Sequence, residues 1–95
     1  MHFKKILFSG HAVRRMFERV IGQPEIVEVI RSGEVIAEYP DDEPLPSFLI
    51  LGFVRGRALH VVAAVEADAE TCYIIAAYDP DPDLWEDDFK TRRIP

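Results

Sequence analysis

The chain has 95 residues, of which 48% are hydrophobic, with a single cysteine and a formal net charge of −6. This length and composition predict one globular domain without disulfides in the cytoplasm, and no apolar run approaches the roughly 20 residues that span a bilayer. The charge is uneven, since residues 1–32 carry six basic and three acidic side chains whereas residues 33–95 carry five and fourteen, which disfavours duplex binding over a broad basic surface but leaves room for a small basic site.

The first elements predicted along the chain are an edge strand and two short helices. Lys4 to Phe8 is a short apolar strand, and Ser9 is a suitable N-cap for the first helix. Gly22-Gln23-Pro24 ends that helix, and because proline is favoured at the first helical position, the second helix should begin at Pro24. Gly33 then fits a C-terminal cap in the left-handed conformation.

The first helix separates into two faces at about 100° per residue. Its apolar arc contains Ala12, Val13, Met16, Phe17 and Val20. Its polar face contains His11, Arg14, Arg15, Glu18 and Arg19. A neutral histidine beside arginines suits proton transfer next to a bound phosphate, whereas the alternative is an ordinary solvated face in which Glu18 pairs with Arg14.

The rest of the chain predicts a sheet. Strands are expected at residues 34–39, 48–55, 57–66 and 71–78, separated by an acidic proline-rich loop, a tight hairpin at Gly56 and a polar turn. Residues 84–93 resemble a short amphipathic tail, with Trp85 and Phe89 one turn apart. The predicted fold class is α+β, in which the N-terminal strand and two short helices pack on one face of a curved three- to four-stranded antiparallel sheet.

The central strands are apolar on both of their faces. Leu49, Leu51 and Phe53 alternate with Phe48, Ile50 and Val54. Two short helices cover only one side of such a sheet, so the other side needs the C-terminal tail, a second copy or a partner. The sequence therefore predicts an exposed apolar patch or a homo-oligomer.

The sequence offers little for a metal or a covalent nucleophile. The aspartate run at 79–83 begins like a calcium loop, but Leu84 and Lys90 stand where glycine and glutamate are needed. The three histidines show no zinc spacing, and Cys72 lies in an apolar strand, where a thiol is usually inert. We expect no metal and no other cofactor.

The remaining candidates for chemistry are histidines, arginines and tyrosines. His60 interrupts an apolar run and shares a strand face with Val62 and Ala64, a position more typical of an interior histidine than of a catalyst. Tyr78 and Tyr39 end their strands, where a phenol either points into a cleft or caps the core. Together with the arginines they suit metal-independent RNA cleavage, which needs a base, phosphate-stabilising cations and an acid.

Four segments carry a resemblance to a known family, and they are residues 11–21, 29–36, 57–62 and 77–80. In this order the chain resembles the bacterial domain-of-unknown-function family 4258, and through it the RelE and MqsR type of toxin. The resemblance implies a curved antiparallel sheet, ribonuclease activity and an antitoxin partner. We then expect His11, Arg15, His60 and Tyr78 to be catalytic, and Arg14, Arg19 and Arg57 to bind phosphate or RNA.

Three functions remain open from the sequence. The first is a metal-independent endoribonuclease of a toxin–antitoxin pair, which requires His11, Arg15 and His60 to line one cleft. The second is a non-catalytic protein-binding module of the same fold, favoured by the acidic C-terminal two thirds and the apolar sheet face. The third is a homo-oligomeric scaffold that associates through the uncovered sheet face.

Overall fold

The structure is a computed structural model that describes residues 1–94. Its elements in chain order are β1 (Lys5–Phe8), α1 (Gly10–Arg19), α2 (Gln23–Ser32), β2 (Glu34–Tyr39), β3 (Ser47–Val54), β4 (Arg57–Glu66) and β5 (Thr71–Tyr78). The strands form one open sheet in the order β1-β5-β4-β3-β2. The mixed α+β fold is confirmed, but the predicted three to four strands are too few, and β1 joins the sheet parallel to β5 rather than antiparallel.

Local sequence signals explain both ends of α1. The Ser9 hydroxyl accepts a hydrogen bond from the Ala12 N–H at 3.0 Å, which confirms the predicted N-cap. At the other end Val20 adopts a left-handed conformation with φ of 57°, and the next N–H donates to the Met16 carbonyl at 2.9 Å. The helix therefore ends about one turn before α2 begins, and Gly22 is the N-cap of α2.

Gly33 follows α2, but the prediction that it adopts a left-handed conformation is wrong. Its φ of −76° and ψ of 171° are extended, because β2 begins at the next residue. Glycine is needed here because the backbones of α2 and β3 lie too close to this residue to leave room for a side chain. A Cβ on Gly33 would meet the Val29 carbonyl oxygen, the Leu51 carbonyl oxygen at 2.7 Å and the Ile50 Cγ2 at 2.8 Å.

The main core lies between the two helices and one face of the sheet. Ile26, Val29 and Ile30 of α2 and Met16 of α1 pack against the strand side chains that point towards the helices. Along β4 those side chains are Leu59, Val61 and Ala63, as the strand alternation predicts. His60 consequently points to the opposite face, together with its register partners Leu51 and Tyr78.

That opposite face is covered by residues 81–94, which we call the C-terminal strap. The predicted helical spacing of the tail is not found, because Phe89 has a positive φ of 59° and Asp88 accepts hydrogen bonds from the N–H groups of Lys90 and Thr91. The strap instead folds back on itself, with Trp85 bridged to Arg92. Trp85 is buried on the sheet, so the tail does provide the cover that the sequence required.

Candidate functional site

The seven predicted site residues occupy both sides of the sheet. His11 is exposed in the first turn of α1, where it lines a hollow of about 440 Å³ beside the end of β1. Because α1 packs through Ala12 and Met16 onto the face opposite His60, the two histidines are separated by the sheet. The structure therefore does not bring His11 and His60 into one cleft, and their catalytic roles stay a prediction.

The three arginines of α1 differ in their contacts. Arg15 forms an ion pair with Glu18 at 3.2 Å on the exposed side of the helix. The interpretation of this face as a solvated one had paired Glu18 with Arg14 instead. Arg19 reaches the sheet, where its Nη1 donates to the Ala77 carbonyl at 2.8 Å. Arg14 makes no ion pair or side-chain hydrogen bond among residues 1–94, so it is available to a ligand or partner.

Arg57 ties three elements together at the end of α1. Its Nε and Nη2 donate to the two carboxylate oxygens of Asp79 at 2.7 and 2.9 Å, and its Nη1 donates to the Val20 carbonyl at 2.7 Å. The hydrogen bonds raise the pKa of Arg57 and lower that of Asp79. A guanidinium engaged in this way anchors the fold and is poorly placed to contact a phosphate.

His60 is the most buried of the predicted site residues. Its Nε2 lies 2.7 Å from the carbonyl oxygen of Phe89 in the strap, while its Nδ1 is buried with no hydrogen-bond partner in the structure. The rings of Trp85 and Tyr78 meet it edge-on, with centroids at 4.7 and 5.4 Å. Burial lowers the pKa of His60, which keeps the imidazole neutral near pH 7.

Tyr78 lies beside His60, a second predicted catalytic residue on the same face of the sheet. It is half-buried next to His60, and burial raises its pKa, so it holds its proton at neutral pH. The positive charges of Arg92 and Arg19 oppose that shift. At neutral pH His60 can therefore accept a proton and Tyr78 can donate one. The strap, however, covers the face of the sheet on which both residues lie.

Cys72 behaves as the sequence predicted for an interior thiol. It is fully buried in the core cluster, and burial raises its pKa to about 11. Thiolate is therefore scarce at neutral pH, and no solvent reaches the sulfur. The residue contributes packing.

The feature that the sequence did not reveal is an exposed apolar ridge on α1. Val13, Phe17 and Val20, all assigned to the buried arc, are 40%, 85% and 78% exposed. Only Ala12 and Met16 of that arc are buried, because α1 rests on β5 along a narrow stripe. The expected apolar patch therefore exists, but it lies on α1 rather than on the sheet face that the strap covers.

A groove runs beside this ridge, between the end of α1 and the start of α2. Its walls are formed by Met16, Phe17, Val20, Ile21, Gly22 and Glu25. Arg14 lies about 100° around the helix from Val13, next to the ridge. The combination of apolar ridge, groove and flanking cation is what a recognition surface for a helix requires.

The part of the chain that the structure describes has neither a cluster of metal-ligating side chains nor a helix that could cross a membrane. Residues 1–94 contain no group of three or more His, Cys, Asp or Glu side chains placed to hold a metal ion. Neither α1 nor α2 has the length and apolar character of a membrane-crossing helix.

Comparison with known proteins finds one family. The sequence profile described as Domain of unknown function (DUF4258) matches residues 8–79, from the end of β1 to the residue after β5. The C-terminal strap lies outside the matched region. No curated protein and no solved structure matches the chain.

Proposed function

The chain belongs to the DUF4258 family, and we propose that it is a protein-recognition module whose α1 binds an acidic amphipathic helix of a partner protein. The observation that carries this proposal is the exposure of Val13 and Phe17 on one side of α1, together with Val20 at its C-cap. The i, i+4 spacing of Val13 and Phe17 is the pattern by which one helix packs against another, and Val20 extends the apolar surface beyond the end of α1.

Energetics support a partner for this ridge. Full burial of a valine or phenylalanine side chain contributes roughly 1.5–3 kcal/mol, and Phe17 and Val20 leave most of that contribution unused within the chain. Contiguous exposed apolar side chains on a small protein commonly mark interaction sites. Phe17, at the centre of the ridge and the most exposed of the three, is the expected energetic centre of the interface.

Charge favours a different protein over a second copy as the occupant. Arg15 is paired with Glu18 and Arg19 donates to the Ala77 carbonyl, so Arg14 is the arginine of α1 left to act beside the ridge. Two copies packed ridge to ridge would bring their Arg14 side chains towards each other. A helix with acidic residues beside its apolar stripe would instead meet Arg14, which has no ion-pair partner among residues 1–94. The small apolar area of the ridge is also modest for a stable homodimer.

The test is binding of the purified product of the adjacent gene, with substitutions on two exposed phenylalanines. Phe17→Glu should weaken binding by about 100-fold, as expected when a central hot spot is lost, and should leave the melting temperature nearly unchanged. Phe53→Glu is the matched control, because Phe53 is 60% exposed on β3 away from α1. Arg14→Glu should weaken binding and reduce its dependence on salt.

Two results would contradict the proposal. Equal binding by Phe17→Glu and the wild type would exclude the ridge as the interface. Light scattering that shows a micromolar dimer, abolished by Phe17→Glu, would assign the ridge to a second copy of this chain instead.

A second function, the metal-independent endoribonuclease of a toxin–antitoxin pair, rests on the RelE and MqsR resemblance. The observation that favours it is that His11 is exposed on the same helix as Arg14 and Arg15. Expression in a bacterial host should then slow growth and cleave RNA, and the double variant His11→Ala/Arg15→Ala should relieve both effects. A harmless wild-type protein that leaves RNA intact would rule this function out, while the ridge would still serve to bind a partner.

A further inference from the structure

The C-terminal strap forms a layer that is separate from the main core. The continuous apolar core cluster lies between the helices and the sheet, and it contains no residue of the strap. On the other face the strap is seated by Trp85, which is 8% exposed, and by half-buried Phe89. The strap can therefore leave the sheet without opening the core that holds the helices.

His60 joins the sheet to this strap through a single hydrogen bond. The Phe89 carbonyl only accepts, so Nε2 of His60 carries the hydrogen and Nδ1 is left as a bare acceptor. Nδ1 is buried without a partner in the structure. Adding a proton there would place a charged imidazolium under the strap with one N–H unsatisfied, which is costly in a buried site.

The neighbouring charges give that imidazolium no counter-ion. β3 contributes no titratable or charged side chain, β5 contributes Cys72, Tyr73 and Tyr78, and β4 itself carries Arg57 and Glu66. The strap contributes Asp81, Asp83, Glu86, Asp87, Asp88, Lys90, Arg92 and Arg93. Neither ring nitrogen of His60 has a carboxylate partner among residues 1–94. Glu86 and Asp87 instead bind Arg93 at 2.9 and 3.4 Å, and Asp88 accepts a hydrogen bond from Thr91 at 2.7 Å. Arg92, which lies over Trp85, adds a positive charge on the strap.

We propose that the strap is a proton-released cover: protonation of His60 lifts residues 81–94 and uncovers a face of the sheet that includes Leu51, His60 and Tyr78. This device goes beyond the binding function of α1 and does not depend on it, because the strap and the ridge lie on opposite sides of the sheet. The family match ends at Asp79, so the strap follows directly after the matched region.

The direction of the pH effect follows from the buried imidazole. Burial lowers the pKa of His60 below its ordinary value of 6.5, and the hydrogen bond to Phe89 opposes that shift in part. The form with an open strap binds the proton more readily. The seated strap is therefore fully stable above about pH 6.5 and loses stability as the pH falls from there through the lowered pKa of the closed form.

Trp85 provides a direct readout, because it is the only tryptophan of the chain and it packs on His60. Acidification from about pH 7.5 to about pH 4.5 should shift Trp85 emission to the red with a midpoint below pH 6.5. Far-UV circular dichroism should stay constant over the same range, since the helices and sheet remain folded. His60→Gln, which keeps an N–H donor but does not titrate, should abolish the shift.

A second variant keeps the test decisive if His60→Gln fails to fold. The double variant His2→Gln/His11→Gln leaves His60 as the sole histidine, and the shift should persist in it unchanged. The proposal is overturned by an emission that does not shift, by a shift that survives in folded His60→Gln, or by simultaneous loss of the circular dichroism signal. In the last case His60 would govern the stability of the whole domain rather than the seating of the strap.

Discussion

Replacing Gly33 with alanine is expected to lower the free energy of unfolding by about 3 kcal/mol. A Cβ at this position would lie 2.7 Å from the Leu51 carbonyl oxygen and would also meet the carbonyl of Val29. Both obstacles are backbone atoms, one in α2 and one in β3, so neither yields by a change of rotamer. Urea denaturation followed by circular dichroism measures the effect.

Gly10 is the matched control for this substitution. It is the first residue of α1, and a Cβ there would meet nothing within 4 Å. Gly10→Ala should raise stability by about 0.5 kcal/mol, because alanine loses less backbone entropy than glycine on folding. If Gly33→Ala were as stable as Gly10→Ala, the close approach of α2 to β3 at this junction would be incorrect.

Arg57→Ala is expected to cost about 2–3 kcal/mol of stability, because it removes charge-assisted hydrogen bonds to the end of α1 and to Asp79 at once. The Arg19 and Val20 carbonyls at the end of α1 would lose their donors, and Asp79 would lose both contacts. Arg55→Ala is the control. Arg55 has an 81% exposed side chain that lies 3.9 Å from Glu25, so its loss should change stability by less than about 0.5 kcal/mol.

The pH dependence of the same variant separates the ion pair from packing. In the wild type Arg57 holds the pKa of Asp79 below its ordinary value of 3.8. The stability contributed by this pair is present above about pH 3.8 and is lost as the pH falls through the lowered pKa. Arg57→Ala should therefore lose less stability than the wild type as the pH falls below about 4. An unchanged loss of stability at acid pH would mean that the Arg57–Asp79 pair does not contribute to it.

Local chemistry explains why most of the fold could be predicted. The N-cap at Ser9, the proline at the start of α2 and the continuous apolar runs of β3 and β4 are all properties of neighbouring residues. The paired positive φ values at Arg55 and Gly56 likewise follow from a two-residue hairpin. The parallel pairing of β1 with β5 was missed, because it joins residues more than 60 positions apart.

The candidate site was harder to predict, since helical periodicity gives the direction of a side chain but not the width of the surface that buries it. Phe17 belongs to the apolar arc of α1 in sequence, yet the helix buries only Ala12 and Met16 of that arc. The long-range partners of Arg57 and His60, Asp79 and the Phe89 carbonyl, have no local signature either.

The parallel pair at the edge of the sheet sets the order in which this molecule can assemble. The hairpins β2–β3, β3–β4 and β4–β5 join segments that follow one another, so they can form while the chain is still being synthesised. The opening strand has to wait for Thr71–Tyr78, so a nascent chain carries Ile6 and Phe8 without their strand partner until those residues have been synthesised. Ribosome stalling before that point would leave an intermediate that proteases and chaperones recognise.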